Sequence, residues 1–208
     1  TLSGKKYKAH NARFVKNDHF ILSMNDNHSL SLWQGNSGEH IQSYNFHDKW
    51  VYDIYESPGN DNVVTASDDG TAKVFNLLTG QGKNIFRVNN WAINKAVYLP
   101  NGKQVATAGD DGALRIWNTQ SGQLDYSIRA HIGWIMDLAV SPDGNYLATA
   151  GDDRMVKIWN RSSFNRNMTI YAHNNWVHDV EFHPDGNKIL TAGKDSTVKH
   201  VLRRVRPQ

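Results

Sequence analysis

The chain has 208 residues, of which 39% are hydrophobic and 21% are charged, proportions that are typical of a globular protein rather than a disordered one. It contains no cysteine, which excludes disulfide bonds, thiolate metal ligands and cysteine nucleophiles. The net charge is only +3, and basic residues are scattered except at Arg203, Arg204 and Arg206, unlike the basic face of most nucleic-acid-binding proteins.

A repeat of 42 residues runs along the whole sequence. Its aromatic column, with a valine in the last unit, is Trp33, Phe75, Trp117, Trp159 and Val201. Six positions earlier lies a column of turn residues, which are Asn27, Asp69, Asp111, Asp153 and Asp195. Ten positions earlier lies a hydroxyl column of Ser23, Thr65, Thr107, Thr149 and Thr191. A period in the low forties that contains strand-like apolar runs is typical of β-propeller blades.

The strands are clearest in the fourth unit. Residues 135–140 are mostly apolar, residues 146–150 are small or apolar, and residues 155–159 alternate, as a half-buried strand does. A turn with proline and glycine separates the first two runs, and residues 168–171 supply a fourth strand. Each unit is therefore predicted to form one blade of four antiparallel strands.

The predicted blades span approximately 5–42, 43–86, 87–128, 129–171 and 172–208 within one propeller region, residues 1–208. The first strands of the later units begin near a tryptophan: Trp50, Trp91, Trp134 and Trp176. Because Trp91 comes one residue early, the sequence predicts a bulge or a longer turn before Pro100.

This pattern resembles the WD40 repeat, which opens near a histidine, continues through an SPDG-like turn and closes on a Trp-Asp pair. The chain departs from it at the closing pair, where the aspartate is never present, as in Trp117-Asn118. The resemblance implies an all-β propeller with five four-stranded blades visible, and we expect them to belong to a larger, typically seven-bladed ring. The alternative is a closed five-bladed ring in which Thr1–Ser3 completes the last blade.

The resemblance also implies a hydrogen-bonded histidine, hydroxyl, aspartate and tryptophan inside each blade. The fourth unit has the complete set, His131, Thr149, Asp153 and Trp159, and we expect its blade to be the best ordered. The partial sets are His47, Thr65 and Asp69, then Thr107, Asp111 and Trp117, and finally His173, Thr191 and Asp195. These sets have the residue types of a nucleophilic triad, but their repetition and the absence of a G-x-S-x-G motif indicate a structural role.

The resemblance places the four tryptophans and the turns carrying Asp68, Asp110 and Asp152 on the narrower face of the disc. One interpretation is that these residues contact a partner, since aromatic side chains supply much of the energy of protein interfaces. The other is that the tryptophans pack between blades. Aspartate is also common in tight turns for its local hydrogen bonds, so we predict neither a metal site nor paired catalytic carboxylates.

We therefore expect a non-catalytic scaffold without a cofactor, which mediates protein–protein interactions within a larger protein or assembly. One alternative is a sensor or autoinhibitory propeller of a multidomain signalling protein, and another is a nucleic-acid-associated propeller that uses the terminal arginines. The sequence has no apolar segment of the length of a signal peptide or a membrane span, so the expected location is the cytoplasm or the nucleus.

Overall fold

The computed structural model describes residues 7–88 and 90–202, and these residues form nineteen β-strands and no helix. The strands are arranged in five antiparallel sheets. The segment Thr1–Ser3, the opening of the first unit at Gly4 and Lys5, and the terminal arginines lie outside the described residues, so the hypotheses that concern them stay predictions.

Each of the first four sheets contains four strands that follow one another along the chain. Sheet 1 contains β1 (Ala9–Val15), β2 (Phe20–Asn25), β3 (Leu30–Gln34) and β4 (His40–Tyr44). Sheet 2 contains β5 (Val51–Glu56), β6 (Asn62–Ser67), β7 (Thr71–Asn76) and β8 (Gly82–Arg87). Sheet 3 contains β9 (Ile93–Tyr98), β10 (Gln104–Gly109), β11 (Ala113–Asn118) and β12 (Leu124–Arg129). Sheet 4 contains β13 (Ile135–Val140), β14 (Tyr146–Gly151), β15 (Met155–Asn160) and β16 (Arg166–Tyr171).

Sheet 5 is described only as far as the end of its third strand. In the described part of the chain it contains three strands, β17 (Val177–Phe182), β18 (Lys188–Gly193) and β19 (Val198–Leu202). The outer strands of sheets 1 to 3 end one or two residues past the approximate unit limits, at Tyr44, Arg87 and Arg129, whereas that of sheet 4 ends at its limit, Tyr171. The last pairs with the third strands include Leu30 with Tyr44 and Ala113 with Arg129.

The first strands of the sheets lie around a common axis. β9 packs between β5 and β13, and β13 packs in turn against β17. β1 joins this set through the ring of His10, whose Nε2 lies 3.1 Å from the carbonyl oxygen of Val51, and through an ion pair between Arg13 and Asp53. The sheets are therefore arranged as blades, with their first strands innermost.

The core lies between successive sheets and is built from columns of the repeat. The residues of two such columns in sheets 2 to 4 are fully buried against the next sheet; they are Val64, Ala106 and Ala148, and Ala72, Leu114 and Val156. In sheet 5 the same columns are exposed, with Leu190 at 48% and Val198 at 67%. In the described residues no sheet covers this face, so the five blades form an open arc.

The prediction of a bulge or a longer turn before Pro100 is wrong. β9 pairs with β10 in the register of the other blades, with Tyr98 opposite Val105 as Val140 is opposite Leu147. The difference lies in the loop before β9. There the carbonyl of Ala92 accepts the backbone N–H of Asp110 at 3.0 Å, which is the role of the Trp134 carbonyl one blade later.

A bulge does occur, but inside the first strand and at one position of the repeat. The pairing between first and second strands skips one residue in each of sheets 2 to 5; these residues are Tyr52, Asn94, Met136 and His178. A bulge leaves the extra residue unpaired and re-aims its side chain. This recurrence gives the innermost strands a common shape at one end of the axis.

Candidate functional site

The hydrogen-bonded set of sheet 4 has all four members in contact. The Nδ1–H of His131 donates to the Asp153 carboxylate at 2.8 Å, and Nε2 accepts the hydroxyl of Thr149 at 2.8 Å. The indole N–H of Trp159 donates to the same hydroxyl oxygen at 3.0 Å. The chain of bonds joins the loop before β13 to β14 and β15, which locks the first three strands of the blade together.

Sheets 2 and 5 have the same bonds without the tryptophan. His47 lies 2.8 Å from the carboxylate of Asp69 and 2.7 Å from the hydroxyl of Thr65. His173 lies 2.9 Å from both Asp195 and Thr191. The aromatic position holds Phe75 in one sheet and Val201 in the other, and neither side chain has a donor.

Sheets 1 and 3 keep the other half of the set. The indole of Trp33 donates to Ser23 at 2.9 Å, and that of Trp117 donates to Thr107 at 2.8 Å. The carboxylate of Asp111 pairs with Arg115 at 2.5 Å. In the third unit the position that corresponds to these histidines is Asn89, which lies outside the described residues.

A basic column belongs to the same arrangement, and the sequence interpretation missed it. Its members lie on the third strands of sheets 2 to 5 and are Lys73, Arg115, Lys157 and Lys199. The ammonium group of Lys157 lies 2.5 Å from the carbonyl oxygen of Ala130 and 3.4 Å from the Asp153 carboxylate. The regular 42-residue spacing of these basic residues was a signal that could have revealed the column.

Three aspartates of these sets, Asp153, Asp69 and Asp195, have lowered pKa values and are held in the ionised form. Burial raises the pKa of Asp153, but the hydrogen bond from His131 and the charges around the carboxylate outweigh this effect and hold the pKa at about 2. For Asp69, burial is again outweighed by the hydrogen bonds from His47 and Thr71, so its pKa lies far below the usual range. Hydrogen bonds from Thr197 and from the backbone of Asn174 lower the pKa of Asp195.

Lowered pKa values predict a loss of stability in acid. An aspartate whose pKa is lower in the folded state stabilises the fold above its ordinary pKa of 3.8, and this contribution disappears as the pH falls towards 2. We expect Asp153→Asn to be less stable than the wild type at pH 7, with the difference shrinking by at most about 2 kcal/mol towards pH 2. Urea unfolding between pH 7 and pH 2 measures it; a difference that stays constant with pH would contradict the assignment.

The four predicted recognition tryptophans differ in exposure. Trp50, Trp91 and Trp134 are between 40 and 52% exposed, and Trp176 is half-buried. The rings of Trp134 and Trp176 meet edge to face, with their centroids 5.8 Å apart. The ammonium group of Lys194 lies 4.0 Å from the centroid of the Trp176 ring, a cation–π contact.

Backbone hydrogen bonds hold the predicted turn aspartates beside the loops that carry the tryptophans. The N–H groups of Asp68 and Asp152 donate to the carbonyl oxygens of Trp50 and Trp134 at 2.9 and 3.0 Å. The carboxylate of Asp152 also lies against Gly133, where a Cβ atom would be 2.2 Å from its Oδ1 atom, so any larger residue there would displace this aspartate. Aspartates and tryptophans therefore share one end of the arc.

The turns themselves are tight. Gly112, in the turn between β10 and β11, has a positive φ of 70°. A Cβ atom at this residue would lie 2.4 Å from the carbonyl oxygen of Gly133 in the loop before β13. A residue without a side chain is therefore required where this turn of sheet 3 meets sheet 4.

A cavity of 570 Å³ opens where the first strands meet on the axis, and we call it the axial cavity. Its lining residues are Tyr52, Asp53, Asn94, Lys95, Asp110, Trp134, Met136, Asp137, His178 and Asp179. It thus contains one ammonium group and four carboxylates, of which only Asp110 belongs to the set predicted from the sequence. Burial raises the pKa of Asp110, despite a hydrogen bond from Asn94, and nearby aspartates add to the rise.

Two further properties concern the described residues as a whole. No group of three or more histidine, aspartate or glutamate side chains in residues 7–88 and 90–202 is placed to hold a metal ion. Within the same residues, no helix has the length and the apolar character needed to cross a membrane.

The fold and the repeated sets define a β-propeller. Comparison with known families gives four matches to the family described as "WD domain, G-beta repeat", at residues 38–76, 81–118, 122–160 and 164–200. Because these matches cover most of the chain, it belongs to this WD40 family. Each matched unit begins near the outer strand of one sheet and ends on the third strand of the next, as residues 38–76 run from β4 to β7.

Curated relatives match shorter segments. Nuclear distribution protein PAC1 of Arthroderma otae is 26% identical over 85 residues, which is 37% of this chain and 18% of that protein. Eukaryotic translation initiation factor 3 subunit I is 26% identical over 80 residues in Aspergillus niger, 38% of this chain and 24% of the relative. In Aspergillus oryzae the subunit is 23% identical over 101 residues, or 49% and 30%. The matches thus span less than a third of these relatives.

Proposed function

We propose that this chain is a non-catalytic scaffold, which holds other proteins in an assembly through the end of the arc that carries the tryptophans. The observation that carries the proposal is the group of exposed tryptophans beside the turn aspartates. Monomeric proteins seldom expose clustered large apolar side chains without a binding role, and tryptophan is enriched where partners bind.

The family and the relatives support the coarser part of this proposal. Two of the relatives are a subunit of an initiation factor, and a subunit is a protein that works within an assembly. The histidine and aspartate sets are engaged in bonds within their own blades, so their chemistry is accounted for by the fold. We also propose that the protein is located in the cytoplasm or the nucleus. Imaging of the tagged protein in its native cells tests this location.

Replacement of both central tryptophans tests the interaction face. We expect Trp134→Ala combined with Trp176→Ala to remove most partners from an affinity purification out of the native source, because about 2 kcal/mol or more is commonly lost at each such contact. Quantitative mass spectrometry of the captured proteins is the measurement.

The control for this experiment is Ile85→Ala, which changes an exposed apolar residue on the outer strand β8. We expect it to leave both partner capture and the melting temperature unchanged. If the double tryptophan variant captures the same proteins as this control, the proposed face is wrong.

A further inference from the structure

The axial cavity has a charge pattern that the repeat explains. One 42-residue column on the first strands of sheets 2 to 5 reads Asp53, Lys95, Asp137 and Asp179. Lys95 forms ion pairs with the aspartates on both neighbouring strands. Its ammonium nitrogen lies 3.0 Å from an oxygen of Asp137 and 3.7 Å from one of Asp53. Within the described residues no basic side chain forms an ion pair with Asp179, and the charge of Lys95 influences it less than the nearby Asp137 does, so negative charge is least compensated on its side of the cavity.

We propose that the axial cavity binds a cationic side chain of a partner protein, an arginine guanidinium or a lysine ammonium group, between Asp179 and the ring of Trp134. This inference rests on the proposed function, because it names the chemistry of the partner that the scaffold would hold. The cavity volume of 570 Å³ lies within the range of about 300–1,000 Å³ that is common for ligand sites.

A buried carboxylate oxygen supports a cationic ligand. The side chain of Asp53 lines the cavity and is only 4% exposed. Its Oδ1 atom pairs with Arg13 at 3.1 Å, whereas its Oδ2 atom has no hydrogen-bond partner among the described residues. A buried carboxylate oxygen without a donor is costly. Because this oxygen has almost no accessible surface, a cation in the cavity would offset that cost through its charge rather than by direct contact.

The pair of Asp137 and Asp179 supports the same conclusion. One oxygen of Asp137 accepts the backbone N–H of Val180 at 2.9 Å, and the other faces Lys95. The hydrogen bond with Asp137 raises the pKa of Asp179 to about 6, and burial and the charge of Asp137 add to this rise. Two carboxylates this close repel each other when both are ionised, and an added cation relieves that repulsion.

The aromatic side chains complete the site. Trp134 lines the cavity with an exposed ring, and the cation–π contact between Lys194 and Trp176 shows that a tryptophan of this surface accepts an ammonium group. Of these two tryptophans, Trp134 lines the cavity, whereas the ring of Trp176 already contacts Lys194. A ring together with carboxylates favours guanidinium, which stacks on aromatic faces and forms paired hydrogen bonds with carboxylates.

Short synthetic peptides test the inference directly. The probes are acetyl-Gly-Arg-Gly-amide, its lysine analogue and its citrulline analogue, which has the shape of arginine but no charge. Binding is followed through the NMR signal of the Trp134 indole N–H, assigned with Trp134→Phe. We expect the two charged peptides to shift this signal. The citrulline peptide should bind at least about tenfold more weakly, because it lacks the charge-assisted contact.

Variants of β17 locate the charge that is responsible. Asp179→Asn should lower the affinity for the arginine peptide about tenfold, and Asp179→Lys should abolish binding. Glu181→Gln is the matched control, since Glu181 is exposed on the same strand but does not line the cavity. Circular dichroism and the melting temperature verify that each variant folds.

Equal affinity for arginine and citrulline, or equal effects of Asp179→Asn and Glu181→Gln, would overturn the cation site. Neither result bears on the proposed interaction face, which is tested separately by partner capture with the tryptophan variants. Failure of the site and failure of the proposed function are therefore distinguishable.

Discussion

Val156→Asp will destabilise the protein by about 4 kcal/mol, whereas Val198→Asp, the same change one repeat later, will cost less than about 0.5 kcal/mol. The two valines occupy one column of the repeat. Val156 is fully buried beneath sheet 5, and Val198 is 67% exposed on the face of sheet 5 that no described residue covers. A carboxylate at the first position has no cation or donor to pair with, while at the second it stays in water.

Urea unfolding of the two variants and the wild type at pH 7 measures this difference. Val156→Ala and Val198→Ala are the controls for the loss of apolar contact alone, and the gap between them should be smaller than the gap between the aspartate variants. If Val198→Asp is as destabilising as Val156→Asp, then in solution another surface covers this face of sheet 5. That result would favour the closed or larger ring that the sequence leaves open.

The sequence was sufficient for the fold because the 42-residue columns coincide with strand pairings. The column of Thr149 lies on the second strands, and that of Trp159 on the third, as the pattern of alternation predicted. The fourth-unit set could be assembled from spacing alone, since each member has a fixed place relative to a turn. Repetition supplies this information, because the same residue types recur at the same positions of several units in one chain.

The axial cavity could not be predicted in the same way. Lys95 occupies a position that in a single strand looks like the solvent side of an alternating pattern. Its ammonium group is instead engaged by carboxylates from two other blades. Contacts between blades depend on how neighbouring sheets are oriented about the axis, which local periodicity does not encode.

Trp91 illustrates the opposite error. Its early position suggested a bulge or a longer turn before Pro100. The strand instead keeps its register and only the loop differs, with Ala92 taking the backbone role of the tryptophan. A tryptophan is conspicuous in a sequence, yet here the backbone position is fixed by the hydrogen bond to the following turn. Side-chain identity was the weaker guide because this loop side chain is exposed.

Asp153→Ala will lower the free energy of unfolding by about 3 kcal/mol, which corresponds to a melting temperature roughly 10 °C lower for a chain of this size. The substitution removes the acceptor for the Nδ1–H of His131, a side chain that is fully buried. It also removes the counter-charge of Lys157, whose side chain is only 9% exposed. His131 would then keep a buried N–H group without an acceptor, and Lys157 would keep a buried charge whose partner is the neutral carbonyl of Ala130. A buried group that loses its partner costs more than the bond itself contributes.

Asp143→Ala is the control that separates this network from an ordinary turn. Asp143 is exposed in the turn between β13 and β14, where its carboxylate accepts the hydroxyl of Ser141 and the backbone N–H of Asn145. Its loss returns the exposed N–H of Asn145 to water and leaves the buried, neutral hydroxyl of Ser141 without its acceptor, while no buried charge loses its partner. About 1 kcal/mol is therefore expected. Thermal unfolding of both variants decides the matter, because equal losses would mean that the buried set stabilises the blade no more than a surface turn does.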